Sequence, residues 1–326
     1  MSKPSGSGHH SPPTTLAVLG CGTLGTAILC GVLASLEVKN PLKAQQQDAT
    51  PKTNGVHPSS NKSPALGIPS RFIACVRTQA SANRLEGELS EFSIPVTISH
   101  DGKNAEVIQA ADIVLLGCQP QDLSTCLGEP AVIDALQGKL LISILAGVTI
   151  PQIEALLHLP SNLRRGSTTV VRAMPNTASF VRASATVITT PQGTPASMLR
   201  VVDWLFASIG TVTHIPASSF DICTALCAST PAFFALFLEA LVDGAVALGL
   251  KRQDAQIMGA GAMKGAAELV LSGEHPAVVR EKVATPGGST MRGLLRLEEG
   301  KLRAVVAGAF IECKMAAEGL GAAERK

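Results

Sequence analysis

The sequence predicts an α/β fold in which a doubly wound sheet is followed by an all-helical C-terminal domain. Up to about residue 217, short apolar runs typical of buried strands alternate with helical patterns. A glycine-rich turn separates the first of these runs from the first helical pattern. Beyond residue 217 the strand patterns stop, and long alanine-rich helical patterns take over.

Length and composition exclude several classes of protein. The chain has 326 residues, which suits two domains, and 46% of them are hydrophobic. A net charge of +2 does not provide the basic surface that nucleic-acid binding requires. The eight cysteines form no C-x-x-C pair and no histidine cluster accompanies them, so neither a metal site nor a disulfide framework is predicted. We expect a cytoplasmic protein with reduced thiols.

Changes in composition mark the predicted domain boundaries. Residues 1–14 are rich in Ser, Gly, Pro and His and are predicted to be a disordered tail, without the apolar core of a signal peptide. The N-terminal domain is predicted to span 15–217. It contains a polar segment at 39–69, rich in Gln, Ser, Pro and Asn, which is predicted to be a disordered insertion. The helical domain is predicted to span 218–326.

The glycine turn fits the dinucleotide-binding pattern G-x-G-x-x-G. The predicted strand Leu16–Leu19 comes first, then the turn GCGTLG at 20–25, and a helical pattern follows. In this context the first glycine makes the turn, the second lets a pyrophosphate approach the backbone, and the third lets helix and strand pack closely. The N-terminal domain is therefore predicted to be a Rossmann-like nucleotide-binding domain.

The end of the second predicted strand indicates which nucleotide is bound. The strand at 71–76 is followed by Arg77 and Thr78 instead of the acidic residue that binds a ribose 2′-hydroxyl in NAD-binding domains. A cation at this position suits a 2′-phosphate. The sequence therefore favours NADPH, with NADH as the alternative; Arg77 as a solvated loop residue is the other interpretation.

The remaining elements follow the same alternation. Further strands are predicted at 94–98, 112–117, 139–145, 167–173, 185–190 and 210–215, and helices at 79–90, 103–110, 149–157 and 195–208. In the second domain, helices are predicted at 218–229, 231–249, 252–272, 276–284, 289–299 and 301–322. Because ligands of doubly wound sheets lie beyond the carboxyl ends of the strands, we expect one crevice surrounded by Gly20–Leu24, Arg77, Cys118–Pro120, Ile144–Ala146 and Met174–Thr177.

A second candidate site lies in the helical domain, in the segment Glu281–Glu298, EKVATPGGSTMRGLLRLE. Its Pro-Gly-Gly tripeptide breaks regular structure, and Ser289 or Thr290 is predicted to cap the helix that follows. The free N–H groups of that first turn would hold a small carboxylate, with the hydroxyl of Thr285 or Thr290 beside it. A capped helix without a ligand is the alternative.

The most apolar long run, Pro231–Leu250, predicts an interface helix. It carries Glu239 and Asp243 near its middle, so a buried or subunit-interface helix explains it better than a membrane span. The two carboxylates are four residues apart and either form a pair or bind backbone or basic groups at an interface. The apolar content of the helical domain predicts dimerisation through intertwined helices.

Six ordered segments resemble the pyrroline-5-carboxylate reductase family. They are VLGCGTLGTAI, AADIVLLGCQP, ISILAGVTI, VVRAMPNTASFVRASATVI, STPAFFALFLEALVDGAVALGL and the signature V-x-T-P-G-G-x-T with its apolar helix and acid at 283–298. Together they span nearly the whole chain apart from the tail and the insertion. The resemblance implies NAD(P)H-dependent reduction of 1-pyrroline-5-carboxylate to L-proline, the final step of proline biosynthesis.

The resemblance also implies the site residues. The catalytic residue would be Thr290, whose counterpart contacts the substrate nitrogen. The substrate-binding residues would be Thr285, Gly287, Gly288, Ser289 and Thr290. The cofactor-binding residues, with Arg77 from the argument above, would be Leu19, Gly20, Cys21, Gly22, Thr23, Leu24, Arg77, Asn104, Cys118, Gln119, Pro120, Ile144 and Ala146. Gln119 stands where the family usually has Lys, a departure that bears on cofactor affinity more than on reaction type.

Two other functions share parts of these patterns. One is a related imine or hydroxyacid reductase, and the other is a non-catalytic NADP-binding regulator. Hydroxyacid dehydrogenases of similar architecture use a Lys on the long helix, and 231–250 contains none. A regulator would not need the substrate loop. The prediction is therefore a Rossmann-like sheet followed by a helical dimerisation and substrate domain, with a small-molecule substrate, a homodimer or higher homo-oligomer, and neither nucleic acid nor membrane as partner.

Overall fold

A computed structural model describes residues 13–38, 66–158 and 167–320. The chain divides into two compact units: the second is Ser229–Ala316, and the first comprises the residues up to Ala228 and those from Ala317 onward. The division after Ala228 lies eleven residues beyond the predicted boundary at 217/218. Residues 1–12 of the predicted tail and 39–65 of the predicted insertion lie outside the described residues, whereas Pro69, the last residue of that insertion, begins a strand.

The first unit contains an eight-stranded sheet. Its strands are β1 Thr14–Leu19, β2 Pro69–Cys75, β3 Val96–Ser99, β4 Ile113–Leu116, β5 Leu140–Ser143, β6 Thr169–Met174, β7 Ser184–Thr189 and β8 Gly210–His214. They lie in the order β3-β2-β1-β4-β5-β6-β7-β8. All neighbours are parallel except β6 and β7, which are antiparallel. The predicted α/β class is confirmed. The last residue of each predicted strand lies within two residues of the last residue of the observed strand.

Helices cover both faces of this sheet. They are α1 Thr23–Val38, α2 Gln79–Leu89, α3 Asn104–Gln109, α4 Leu123–Leu127, α5 Pro130–Leu136, α6 Ile150–Leu156 and α7 Ala196–Ala207. The side chains of β1 alternate between two cores: Leu16 and Val18 pack with α1, α2 and α7, whereas Ala17 and Leu19 pack with α3, α5 and α6. This two-sided burial is the reason the strands read as continuous apolar runs.

Two short helices, α4 and α5, are absent from the sequence prediction. They have five and seven residues, and neither begins with a side-chain cap. The seven-residue α6, by contrast, was predicted, and Thr149 caps it. The buried faces of α4 and α5 are small, with Leu123 and Leu127 in α4 and Val132, Ala135 and Leu136 in α5. Packing against the core therefore stabilises these two helices, although the local sequence pattern does not predict them.

The predicted helices of the C-terminal part are all present. They are α8 Phe220–Thr224, a π-helical turn Ala225–Ser229, α9 Thr230–Ala247, α10 Arg252–Leu271, α11 Pro276–Val283, α12 Ser289–Glu299 and α13 Leu302–Leu320. In the second unit α9 packs closely on α10. A Cβ at Gly259 of α10 would lie 2.8 Å from Leu238 Cδ1 of α9, so the missing side chain permits this approach.

The helices of the second unit leave large apolar side chains on the surface. Leu236 and Ile257 are about two-thirds exposed, and Phe234 and Leu241 are more than half exposed. Among the described residues, the continuous helix Ala217–Ala247 alone meets the length and composition needed to cross a membrane. Several large apolar side chains exposed on one unit favour a site of association.

Candidate active site

The carboxyl ends of the parallel strands place the predicted cofactor residues along one edge of the sheet. Leu19 at the end of β1 is in register with Cys75 of β2 and with Leu116 of β4, and Leu116 is in register with Ser143 of β5. The loops after these four strands carry Gly20–Leu24, Arg77, Cys118–Pro120 and Ile144–Ala146. The segment 174–177 begins at Met174, the last residue of β6, and lies at the same edge because β6 runs parallel to β5.

The three glycines of the first turn are in three different environments. Gly20 has a φ of +90°, and a Cβ there would lie 2.7 Å from the Cys118 backbone nitrogen. A Cβ at Gly25 would lie 2.6 Å from the Gly20 carbonyl oxygen, whereas at Gly22 no described atom lies within 4 Å of that position. The outer glycines are required by packing, and the middle glycine leaves the backbone open to a ligand.

Hydrogen bonds from distant residues hold the same turn. The N–H groups of Gly20 and Cys21 donate to the Cys75 carbonyl over 3.0 and 3.2 Å. The Cys21 carbonyl accepts from Thr26 Oγ1 at 3.2 Å and from Arg84 Nη2 at 3.0 Å. Arg84, on α2, was not singled out from the sequence, because an exposed arginine on a helix carries no local sign of a partner 63 residues away.

Arg77 lies exposed in the loop after β2, a position that suits contact with a ligand and equally suits a solvated loop residue. Its Nη1 atom is 3.3 Å from Asp122 Oδ2, and 83% of its side chain is exposed. An ion pair this exposed contributes little to stability, so the guanidinium remains available to an anion. Thr78 caps α2 by accepting a hydrogen bond from the Ser81 N–H at 3.2 Å, which sets a helix N-terminus beside Arg77. The sequence did not identify Asp122.

Asn104 connects the end of β2 with α4 at this edge. Its Oδ1 atom accepts from Cys75 Sγ at 3.4 Å, and its Nδ2 atom donates to the Cys126 carbonyl at 3.3 Å. Both ends of the Asn104 side chain are therefore hydrogen-bonded to protein.

Ile144 is buried against Gly117, where an added Cβ would lie 3.3 Å from Ile144 Cδ1. The remaining predicted positions differ in burial: Gln119 is exposed, Pro120 begins a short 3-10 helix, and Ala146 packs beside Met174, Val187 and Phe220.

The segment RAMPNT at 172–177 links the sheet to the helix 217–247. Asn176 Nδ2 donates to the carbonyl of Cys227 at 2.8 Å, and Cys227 lies in the π-helical turn Ala225–Ser229. A π-turn changes the helical hydrogen-bond pattern and is frequent at functional sites. The buried Arg172 lies 3.5 Å from Asp221 and stacks over Phe220 with 3.9 Å to the ring centroid. Burial lowers the pKa of Arg172, and Asp221 opposes that shift.

The loop of the second candidate site differs from prediction in its helix cap. We expected Ser289 or Thr290 to cap α12, but the N-cap is Gly288, with φ −71° and ψ 163°, and among the described residues no side chain caps this helix. The Gly288 N–H donates to the Thr285 carbonyl at 3.0 Å and so closes a turn one residue earlier. Ser289 is therefore the first helical residue, and the N–H groups of the first turn have no side-chain acceptor in the described structure.

Thr285 fills the space that Gly288 leaves open. A Cβ at Gly288 would lie 2.6 Å from Thr285 Oγ1, so the hydroxyl sits directly against the N-cap. Gly287 has a φ of +71°, which L side chains rarely adopt. The arrangement presents unpaired N–H groups next to two hydroxyl-bearing residues, Thr285 and Thr290, and such a helix N-terminus favours an anion.

Polar residues near this loop have partners that account for them. His275 caps α11, because its Nδ1 atom accepts from the Ala277 N–H at 3.2 Å. Lys282 Nζ lies 2.8 Å from Glu274 Oε2.

On α9, Asp243 lies 2.7 Å from Arg252, whereas Glu239 lines a surface cavity of about 520 Å³ with Val242, Arg252 and Gln256. In the described part of the chain, no cluster of three or more His, Cys, Asp or Glu could hold a metal ion.

Two family models match the chain. Residues 217–320 match the model described as pyrroline-5-carboxylate reductase dimerisation. Residues 59–147 match the model described as NADP oxidoreductase, coenzyme F420-dependent. The first match begins at the start of the long apolar helix, and the second contains β2 and β4, the strands that precede Arg77 and Cys118.

Sequence relatives and solved structures agree with these matches. A pyrroline-5-carboxylate reductase of Lophium arboricola is 49% identical over 313 residues, covering 94% of this chain and 93% of the relative. One of Neurospora crassa is 44% identical over 327 residues, covering 95% and 94%. The crystal structure of Plasmodium falciparum pyrroline carboxylate reductase with NADP bound has a TM-score of 0.72 at 21% identity, covering 95% of this chain and 99% of that one. A pyrroline-5-carboxylate reductase of Coxiella burnetii has a TM-score of 0.70 at 24% identity, covering 94% and 98%.

Proposed function

The chain belongs to the pyrroline-5-carboxylate reductase family, and on that premise we propose that it reduces 1-pyrroline-5-carboxylate to L-proline with NADPH. The observation that carries the proposal is the loop before α12, where a helix N-terminus without a side-chain cap lies against the Thr285 hydroxyl. The substrate of this reaction is a small carboxylate with an adjacent ring nitrogen. An anion site beside hydroxyl groups has the chemistry to bind it.

The residues at the carboxyl edge of the sheet fit a bound dinucleotide. The backbone of Gly22 is open. The turn that contains it donates hydrogen bonds to the Cys75 carbonyl and accepts them from Thr26 and Arg84. A pyrophosphate would approach the N–H groups of this turn, and the exposed Arg77 would meet a 2′-phosphate. NADPH is therefore the proposed cofactor and NADH the alternative. When bound, its reduced nicotinamide supplies the hydride.

The loop before α12 would orient the substrate. The N–H groups from Gly288 to Thr290 would hold the carboxylate, and the Thr290 hydroxyl would contact the ring nitrogen. A protonated imine is already electrophilic, so the protein needs no strong acid at this position. The contribution of these residues is to fix the imine in a reactive orientation, which lowers the entropic part of the barrier.

The exposed apolar helices of the second unit are proposed to pair with a second copy of the chain. The family model that matches residues 217–320 is a dimerisation model, and Leu236 and Ile257 present the large exposed side chains that such an interface buries. We propose a cytoplasmic homodimer or higher homo-oligomer that catalyses the final step of proline biosynthesis.

Steady-state assays with the purified protein test the proposed function. NADPH oxidation is followed with and without pyrroline-5-carboxylate, then with NADH, and proline is identified as the product. We expect substrate-dependent oxidation that is more efficient with NADPH. Turnover of only other imines or hydroxyacids would replace the proposal with the related reductase, and NADPH binding without turnover of any substrate would indicate a regulator.

A further inference from the structure

An ion pair joins two loops at the carboxyl edge of the sheet. Arg77 Nη1 lies 3.3 Å from Asp122 Oδ2. Arg77 follows β2 and Asp122 follows β4, and β1 lies between these two strands. Because neighbouring strands are about 4.8 Å apart, β2 and β4 are separated by about 10 Å. The glycine turn at 20–25 follows β1, so the ion pair joins the loops on either side of that turn.

The two partners of this ion pair are held with unequal firmness. Asp122 ends the 3-10 helix Pro120–Asp122, and its N–H donates to the Gln119 carbonyl over 2.9 Å. The next residue, Leu123, is buried. The side chain of Asp122 is 28% exposed, whereas that of Arg77 is 83% exposed and has many rotamers. Asp122 is therefore the fixed partner, and Arg77 is the one that can turn toward another anion.

The 2′-phosphate of NADPH would be such an anion. In Rossmann-like domains the ribose 2′ position lies at the end of the second strand, and β2 is that strand here. The helix that follows, α2, has Thr78 as its cap and no acidic residue in its first turn, so its N-terminus favours an anion at the same place. When Arg77 pairs with Asp122, its guanidinium lies toward the β4 side of the glycine turn. To meet the phosphate at β2, Arg77 has to leave Asp122.

We propose that Asp122 determines cofactor specificity: as the counter-ion of Arg77, it competes with the 2′-phosphate and so reduces the preference for NADPH over NADH. NADH lacks this phosphate and leaves the ion pair intact. Asp122 acts through Arg77, so it is a positioning residue and not a catalytic one. The inference rests on the nucleotide site of the proposed function, but it does not depend on which imine the protein reduces.

Two nucleotides that differ only in the 2′-phosphate measure this competition in the full-length protein. Calorimetric titration gives the Kd of 5′-AMP and of adenosine 2′,5′-bisphosphate, and their ratio reports the contribution of the phosphate. Asp122→Asn keeps the shape of the side chain and removes its charge. We expect the ratio of the Kd for 5′-AMP to the Kd for the bisphosphate to rise by about threefold to fivefold, the upper range for a partly exposed ion pair. The Kd for 5′-AMP and the melting temperature should not change.

Two further variants separate the charge of Asp122 from its other properties. Asp122→Glu retains the charge, so its ratio should stay close to that of the unchanged protein. Glu129→Gln removes an exposed carboxylate at the start of α5 and is the matched control, in which the ratio should not change. An unchanged ratio in Asp122→Asn would overturn the proposal. A lower ratio would also overturn it, because it would mean that Asp122 orients Arg77 toward the phosphate.

Arg77→Gln tests whether the effect passes through the guanidinium. In this background Asp122→Asn should leave the ratio unchanged, because no cation remains for the two anions to compete for. A carboxylate about 10 Å from the phosphate is largely screened at physiological ionic strength. An equal gain in both backgrounds would show direct repulsion between Asp122 and the phosphate, and would contradict the proposed competition.

Steady-state kinetics connect the binding result with the reaction. With pyrroline-5-carboxylate as substrate, Asp122→Asn should raise the ratio of kcat/KM for NADPH to kcat/KM for NADH by the same factor and leave kcat unchanged. If the protein binds the nucleotides but does not reduce this substrate, the proposed reaction fails, and the ratio of Kd values still decides the role of Asp122. If neither nucleotide binds, the proposed cofactor site and this inference both fail.

Discussion

The two glycine-containing turns of this protein precede a helix in the same way but are held very differently. The turn at 20–25 is surrounded by backbone, and Gly20 and Gly25 leave no room for a side chain. The turn at 285–288 is closed by one backbone hydrogen bond, and no described atom lies within 4 Å of a Cβ at Gly287. The first turn is part of a core, and the second is an exposed loop whose shape depends on its own residues. The same substitution should therefore have unequal effects in the two turns.

The largest effect is expected in the first turn. Gly20→Val should abolish NADPH binding and reduce the folded yield, because its Cβ would lie 2.7 Å from the Cys118 nitrogen at a φ of +90°. Binding is measured by fluorescence titration and folding by circular dichroism. The matched variant Gly22→Ala meets no described atom within 4 Å, so it should fold normally while weakening nucleotide binding. Equal thermal stability of both variants would show that the first turn is not part of the core.

Substitution of Thr290, next to the second turn, should lower turnover and leave stability unchanged. Thr290→Ala should lower kcat/KM for pyrroline-5-carboxylate by about 10- to 1000-fold, the range expected for one positioned polar contact. Steady-state kinetics at saturating NADPH measure this loss. Thr290→Ser retains a hydroxyl and should recover most of the activity with an unchanged melting temperature. An unchanged kcat/KM in Thr290→Ala would remove this residue from the mechanism.

Arg77 tests whether the edge beside the first turn distinguishes the two nicotinamide cofactors. Arg77→Gln should raise the KM for NADPH by about tenfold, which corresponds to the loss of one exposed phosphate contact, and leave the KM for NADH nearly unchanged. The ratio of the two kcat/KM values is the relevant measurement. Arg200→Gln, another exposed arginine of the first unit, is the control. A parallel change for both cofactors would mean that Arg77 does not contact the 2′-phosphate.

The smallest effect is expected from Gly287, which tests the backbone of the second turn alone. Gly287→Ala should lower the free energy of unfolding by about 1 kcal/mol, because alanine is strained at a φ of +71°. Gly293→Ala, within α12 and with open space around its Cβ, should raise stability by up to about 1 kcal/mol. Chemical denaturation of the two variants measures shifts of opposite sign. A stabilising Gly287→Ala would show that the turn adopts another conformation in solution.

Much of the fold was predictable because it depends on local patterns. The central strands β1, β4, β5 and β6 are buried along their whole length, and burial on both faces makes their sequences largely apolar. The predicted helix at 149–157 begins at Thr149, where the structure has a capping box with Gln152. The two glycine turns were also evident, because glycine and proline determine backbone conformation over a few residues.

Other features of the sites were decided by contacts between distant parts of the chain. Arg84, Asn104 and Asn176 hold backbone carbonyls that are 63, 22 and 51 residues away, and no local pattern indicates such partners. The short helices α4 and α5 lack side-chain caps and depend on the core that covers them.

By itself, the sequence determined the eight strands and most of the helices, where the two glycine turns lie and which family the chain resembles. Local spacing of apolar residues, glycines and hydroxyls is sufficient for those conclusions. Only the tertiary structure decided the strand order, the antiparallel pairing of β6 with β7, and the choice of Gly288 over Ser289 or Thr290 as the cap. These depend on backbone torsions and on distances across the folded chain, which a linear pattern does not contain.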